Sequence, residues 1–233
     1  MLNVYLDTRI LPVTFDVIKF LVSATGAAEY SGHDQMNLHI VAESFREESP
    51  RDLAMSIEEK RARVLNIYLG LAKVFPRVAG VEYSETRPRQ VMFPCFPPGY
   101  TPDAPPRVSY RFDALDAVWQ SGLPVQVIRP SRSAMLRTSA LRSKGAYMTM
   151  TLRTSTWDSI RDGDLGKWYE AYQRLSRALG LKIYVVPDYD DVCSDQKFKD
   201  YGWETCEWVS MEADTRVALY SESKINICMA GGI

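Results

Sequence analysis

Histidine, cysteine and net charge are all scarce in this chain. Its 233 residues include two histidines and four cysteines, and 28 basic residues nearly balance 29 acidic ones. His33 falls in a polar stretch and His39 in an apolar run, so neither suggests a triad or a metal cluster. Cys95, Cys193, Cys206 and Cys228 are scattered without a CxxC pair. That argues against a zinc site or disulfide framework and for free thiols in a reducing compartment. A net charge of −1 exerts no general pull towards nucleic acid or an anionic membrane. No run approaches the roughly 18 uncharged apolar residues of a membrane helix. The start, Met1-Leu2-Asn3-Val4-Tyr5-Leu6-Asp7, lacks the basic and apolar regions of a secretory signal. These absences describe a cytoplasmic chain with no transmembrane segment and no nucleic-acid partner. G-x-G-x-x-G, G-x-x-x-x-G-K and G-x-S-x-G are missing too, which removes the common phosphate-loop and hydrolase signals.

What is present is apolar: 46% of the residues are hydrophobic, enough for a substantial core. Leu2 to Leu6 reads as a buried strand ending at Asp7. Thr14 is placed to cap a helix whose inner face is Phe15, Ile18, Leu21 and Val22. Leu38 to Ala42 is a second strand, closed by Glu43. A long helix over 57–74 presents Val64, Ile67, Tyr68 and Leu71 inward, and Pro76 stops it. Seven of the thirteen prolines lie between 88 and 106, which excludes a regular helix or central strand there. A short helix near 114–120 and a strand over 125–128 follow.

The last third alternates strand and helix more regularly. Tyr147 to Leu152 is a strand. Asp164 caps a helix with Leu165, Trp168, Tyr169, Tyr172, Leu175 and Leu179 on one stripe, and Gly180 ends it. Lys182 to Val186 is the next strand, 206–209 a third, 212–223 a helix, and 225–229 a fourth strand. This order predicts a parallel sheet with right-handed crossovers. Ala230-Gly231-Gly232-Ile233 resembles the turn from a strand into a further helix, so the expectation is a domain cut short at its C-terminus.

An acid-free run from Ala117 to Trp157 holds Arg129, Arg132, Arg137, Arg142, Lys144 and Arg153. Guanidinium forks bind phosphate oxygens in pairs, although most of these residues suit a solvated basic face. Arg153 differs because it ends the best strand and is followed by Thr154-Ser155-Thr156. Ligands of open parallel sheets bind beyond the carboxyl ends of strands, so this position suits a diphosphate; pairing with Asp188 is the structural alternative. Asp188-Tyr189-Asp190 has the D-x-D spacing that can hold Mg²⁺ or Mn²⁺, or simply charge the next helix start. Gly231-Gly232 would let backbone amides approach a phosphate.

Met150-Thr151-Leu152-Arg153, Arg161-Asp162-Gly163-Asp164, Trp168, Val185-Val186-Pro187-Asp188, Arg216-Val217-Ala218-Leu219-Tyr220, Asn226-Ile227-Cys228 and Ala230-Gly231-Gly232 follow one another in an order that resembles bacterial glycosyltransferase-like proteins. With Phe15-Asp16-Val17 and Leu38-His39-Ile40-Val41 the likeness spans most of the chain. It implies an α/β fold of two Rossmann-like domains, the GT-B arrangement, here residues 1–143 on the acceptor side and 144–233 on the nucleotide-donor side. It also implies that Arg153 contacts the nucleotide diphosphate, with Thr154, Arg161, Asp188, Gly231 and Gly232 around it, and that no metal is held by the D-x-D. The nucleotide sugar is then a co-substrate with no other cofactor, and a glycan of bacterial surface polysaccharide a fitting acceptor. No motif marks the catalytic base; Asp7 and Glu43, at strand ends, are the candidates. Two other readings stand beside this one. One is a non-catalytic nucleotide-binding or assembly module, completed by a partner chain or a homodimer. The other is a metal-dependent enzyme using Asp188 and Asp190.

Overall fold

A computed structural model describes residues 1–106, 120, 122, 128–153, 164–189, 198 and 200–228. The chain divides into two compact units, Met1–Arg129 and Pro130–Ile233. Each is α/β with its described strands in one parallel sheet.

The first unit runs β1 (Leu2–Asp7), α1 (Val17–Tyr30), β2 (Met36–Val41), α2 (Pro50–Ala54), α3 (Ile57–Arg63), a π-helical turn (Val64–Tyr68), α4 (Leu69–Ala72), β3 (Val78–Ser84) and β4 (Cys95–Phe96). The strand order is β3-β2-β1-β4, with Leu2 opposite Met36 and Val4 opposite both Leu38 and Phe96. Alternation sorts β1 into two faces. Leu2, Val4 and Leu6 share one with Met36, Leu38 and Ile40, and Phe20 of α1 meets Phe96 there with ring centroids 5.1 Å apart. Asn3, Tyr5 and Asp7 share the other with Asn37, His39 and Val41. Steps from β1 to β2 to β3 go the same way across the sheet, whereas β4 lies on the far side of β1. The strand order therefore reverses between β1 and β4.

Several expectations for this unit need correction. Thr14 does not cap α1: the helix starts at Val17, and Val17, Phe20, Leu21, Ala24 and Ala28 form its buried face. Phe15, Ile18 and Val22 are only half-buried, because the register of burial follows the sheet rather than the most apolar stripe. The helix expected over 57–74 is continuous from Ile57 to Ala72 but takes a π turn at Val64–Tyr68. β3 had no apolar alternation to betray it, since four of its seven residues are Ala79, Gly80, Glu82 and Ser84 and its pattern of exposure is mostly outward. The proline-rich stretch contributes the two-residue strand β4, at the end of the described sheet order, where a missing N–H on its neighbours is tolerated. The helix and strand expected over 114–120 and 125–128 fall almost wholly outside the described residues.

The second unit runs α5 (Arg132–Arg137), α6 (Ser139–Arg142), β5 (Tyr147–Leu152), α7 (Leu165–Leu179), β6 (Lys182–Pro187), α8 (Glu207–Met211), α9 (Ala213–Glu222) and β7 (Asn226–Cys228). The order is β6-β5-β7, which places β5 at the centre. Met148, Met150, Leu152, Ile183 and Val185 build one core with Phe198, Trp203 and the stripe of α7. Tyr147, Tyr184 and Val186 build a second with Cys206, Val209 and Leu219, on the opposite face. Burying each such aliphatic side chain contributes about 1.5–3 kcal/mol, and the two cores account for the near-continuous apolar reading of β5 and β6.

The division falls after Arg129 rather than after residue 143, because the basic stretch is helical over Arg132–Arg137 and Ser139–Arg142 and belongs to the second unit. Ser131 caps α5 and fastens it to α9: Asp214 accepts from the Ser131 backbone N–H at 2.9 Å and from its hydroxyl at 2.6 Å. The strand expected over 206–209 is also absent. Thr205 makes a single parallel bridge to Val185, and the chain then turns into α8, with Glu207 favouring its first turn.

Candidate functional site

In the second unit β6 lies on one side of β5 and β7 on the other. The reversal of strand order therefore falls between β5 and β7, the position at which doubly wound sheets bind ligands. Arg153 stands immediately beyond β5 at this point, 6% exposed. Its Nε lies 3.8 Å from Oδ2 of Asp188, the first residue beyond β6. Asp188 also accepts from the Tyr189 N–H at 2.8 Å. Two sequence candidates are thus brought together. Thr154, Arg161, Asp190, Gly231 and Gly232 lie outside the described residues.

Beneath Arg153 on the same face runs a set of polar contacts that begins at buried Arg216, Thr151 and Thr149 and reaches half-buried Tyr220 and exposed Asn226. The Arg216 Nε–H donates to the Tyr220 hydroxyl at 2.9 Å, and that hydroxyl shares a second hydrogen bond with the Thr151 hydroxyl, 2.6 Å away. The guanidinium also sits 5.8 Å from the Tyr220 ring centroid, and Thr149 Oγ1 donates to Asn226 Oδ1 at 2.6 Å. Arg216 and Tyr220 were not singled out as site residues. Their i, i+4 spacing on one helix was the signal that could have joined them. These contacts hold β5, α9 and β7 in register at the carboxyl end of the sheet.

The first unit has its own reversal, and a different cluster occupies it. Asp7, fully buried at the end of β1, accepts from the Arg9 backbone N–H and Nε at 3.0 Å each on Oδ1. On Oδ2 it accepts from Arg9 Nη2 at 2.6 Å and the Tyr100 hydroxyl at 3.0 Å. Arg9 Nη2 reaches the Pro102 carbonyl as well. Burial, then the Asp7 charge, pushes the Tyr100 phenol far above its usual range, so it stays a neutral donor. The Tyr100 ring stacks on Tyr5 at 4.4 Å, and Tyr5 on His39 at 4.7 Å. With both oxygens taking two donors each, Asp7 has no open position from which to accept a substrate proton. Glu43, the other candidate base, is exposed and pairs with Arg87.

His39 is built into the sheet. Its Nδ1 contacts Glu82 at 2.9 Å, and its Nε2 lies 3.1 Å from Asn3 Oδ1 and 3.2 Å from Asn37 Nδ2. The acid-free run is answered by acids from later in the chain. Arg137 pairs with Glu212 at 2.6 Å, Arg142 with Glu222 at 3.4 Å, and Lys144 with Glu204 at 3.7 Å. Among the described residues no three His, Cys, Asp or Glu side chains gather as a metal site, and no helix is long and apolar enough to cross a membrane. Compared with known proteins, the chain matches no protein-family model and no curated protein.

Proposed function

We propose that the chain is a cytoplasmic nucleotide-sugar-dependent glycosyltransferase of the two-Rossmann, GT-B type, in which the second unit holds the donor and the first the acceptor. The observation that carries this reading is Arg153, buried at the carboxyl end of the central strand where the order β6-β5-β7 reverses. In direct transfer an acceptor oxygen bonds to the anomeric carbon while the bond from that carbon to the diphosphate oxygen breaks. The diphosphate leaves with the electron pair. A guanidinium beside it stabilises the charge that develops, and a water-poor site strengthens that effect. Thr154 and Arg161 are the further contacts this reading assigns.

The test is a thermal-shift panel with GDP, UDP, ADP, CMP and their sugars, with and without EDTA, on wild type and Arg153→Ala. A ligand at 100 times its Kd stabilises the folded state by about 2.7 kcal/mol. The expected result is a response to one nucleotide that survives EDTA and is lost in Arg153→Ala. No response to any nucleotide would sink donor binding. A response abolished by EDTA would move the assignment to the metal-dependent reading; the Asp188 carboxylate facing Arg153 argues against that one. The filled acceptor positions of Asp7 favour a second reading, a nucleotide-binding module without transfer. Nucleotide binding with no release of diphosphate across an acceptor panel would select it.

A further inference from the structure

We propose that His39 is a proton switch in the first unit: uncharged, its ring bonds within β2, and charged, it bonds across to β1 and steadies the proline-rich stretch. The switch is independent of the reaction proposed above. His39 is 8% exposed and has a polar neighbour at each ring nitrogen. Nδ1 lies 2.9 Å from the Glu82 carboxylate of β3, an acceptor, so this nitrogen carries a proton in either state. Nε2 faces two amides that present opposite groups. Asn37 Nδ2, two residues earlier on β2, stands 3.2 Å away and is a donor. Asn3 Oδ1, on β1, stands 3.1 Å away and is an acceptor. The Asn3 amide is oriented by its own Nδ2–H, which donates to the Pro94 carbonyl at 3.3 Å. One ring nitrogen serves one of these two amides and not the other. Without a proton Nε2 accepts from Asn37; with a proton it donates to Asn3.

The choice of partner reaches the proline-rich stretch. Pro94 directly precedes β4, and the Tyr5 hydroxyl accepts from the Met92 N–H at 2.9 Å. Tyr5 stacks on the His39 ring at 4.7 Å, and Tyr100 on Tyr5 at 4.4 Å. The stretch is therefore fastened to Asn3 and Tyr5, the two β1 residues that touch the His39 ring. A charged ring gains the Asn3 bond and attracts the Tyr5 face, and both gains leave with the proton.

The surrounding charges leave the decision to this proton. β1 brings Tyr5 and Asp7 to the same face, β3 brings Glu82, β4 brings Cys95, and Tyr100 follows from the stretch beyond. Burial pushes Tyr5, Cys95 and Tyr100 above their usual ranges, so all three stay uncharged to pH 8. Asp7 is matched by Arg9 at 2.6 Å. Among the described residues, Glu82 is the charge that meets the ring directly.

The experiment follows the His39 ring nitrogens by nitrogen-15 NMR across about pH 5 to 9 in the full chain. Wild type, Asn3→Ala and Asn37→Ala are compared, with His33, the other histidine, as internal reference. Asn3→Ala removes an acceptor that serves the charged ring, so the His39 midpoint should fall. Asn37→Ala removes a donor that serves the uncharged ring, so the midpoint should rise. Each change should alter proton affinity by about threefold or more. A contact made by the charged form is present below the midpoint and lost above it. Hydrogen exchange, corrected for its intrinsic dependence on pH, should therefore show residues 91–96 losing protection by about threefold as pH rises through the midpoint. His39→Gln should abolish that loss. Shifts of the same sign in the two asparagine variants, or either shift below about threefold, overturn the switch. So does a His39 ring that keeps one protonation state throughout, or a loss at 91–96 that persists in His39→Gln. If a variant does not fold, wild type decides. A scalar coupling across the hydrogen bond from Asn37 Nδ2 to His39 Nε2 must be present above the midpoint and absent below it. Any other pattern of that coupling overturns the switch. Failure of the nucleotide response at Arg153 leaves all these outcomes intact.

Discussion

Both units set an arginine at the carboxyl edge where their strand order reverses, and they bind it in opposite ways. In the first, Arg9 and Asp7 come from the same turn, two residues apart, and the guanidinium grips the carboxylate through Nε and Nη2. Tyr100 closes the cluster from the far end of the proline-rich stretch. In the second, Asp188 approaches Arg153 from the end of the neighbouring strand at 3.8 Å and is partly exposed. A two-pronged charge-assisted pair inside one turn is preorganised by the chain itself, whereas an approach between the ends of two strands depends on how those strands pair. The same topological position is thus held within one turn in the first unit and between two strand ends in the second. The difference lies in where in the sequence the counter-charge arises.

The largest way to test that contrast is Asp7→Ala. Removing the carboxylate takes away the oxygens to which Arg9 Nε and the Tyr100 phenol donate, while Arg9 Nη2 keeps the Pro102 carbonyl, and breaking a buried pair in this manner costs about 3–5 kcal/mol. Urea unfolding should show the loss, with hydrogen exchange locating it in β1 and residues 91–102. A loss below about 1 kcal/mol would end the distinction, since the cluster would then be no tighter than an exposed pair.

A second test separates the units by pH. Burial, and next the Glu222 charge, pushes the Tyr147 phenol up to about 12; burial, and next Glu204, pushes the Cys206 thiol up to about 12. Both raised values favour the protonated form in the folded state. Their contribution is fully present below the unfolded values of 9 to 10 and is lost as pH rises through about 12. The second unit should therefore hold constant stability with respect to these groups up to pH 9 and weaken above it, less steeply in Cys206→Ala. Cys206 should also resist thiol reagents at pH 8 while the chain is folded. Rapid labelling there would place the thiol at the surface instead.

Much of the second unit was legible from residues alone. Leu165, Trp168, Tyr169, Tyr172 and Leu175 share one helical stripe, Asp164 and Gly180 bracket it, and the structure packs that stripe on the core of β5 and β6. Arg153 was legible because a strand of alternating Thr and Met ends at it. The first unit hid more. β3 and β4 are specified by pairing with β2 and β1, not by their own pattern, so no local period announces them. The tie between Asp7 and Tyr100 spans 93 residues, and nothing in either neighbourhood names the other. Nor could composition reveal that the acid-free run is neutralised by Glu212 and Glu222, because ion pairs depend on which helices pack together.

The smallest expected effect contrasts the two long helices. α1 sinks Val17, Phe20, Leu21, Ala24 and Ala28 into the core and begins without any side-chain cap. α7 has no fully buried residue and begins with the Asp164 carboxylate accepting from the Gly166 and Lys167 N–H groups at 2.9 and 3.2 Å. Packing fixes the first helix, so its start needs no help. The second leans on a half-buried stripe and gains more from satisfying its free amides. Asp164→Ala should cost about 1 kcal/mol, with faster hydrogen exchange confined to the first turns of α7. Asp16→Ala, which removes an exposed pair with Lys19 and a 3.2 Å hydrogen bond from the Thr14 hydroxyl but no helix cap, should stay within about 0.5 kcal/mol of wild type. Equal losses at the two positions would mean that the caps act through the unfolded chain or through charge alone, and the contrast between a packed and a capped helix would fall.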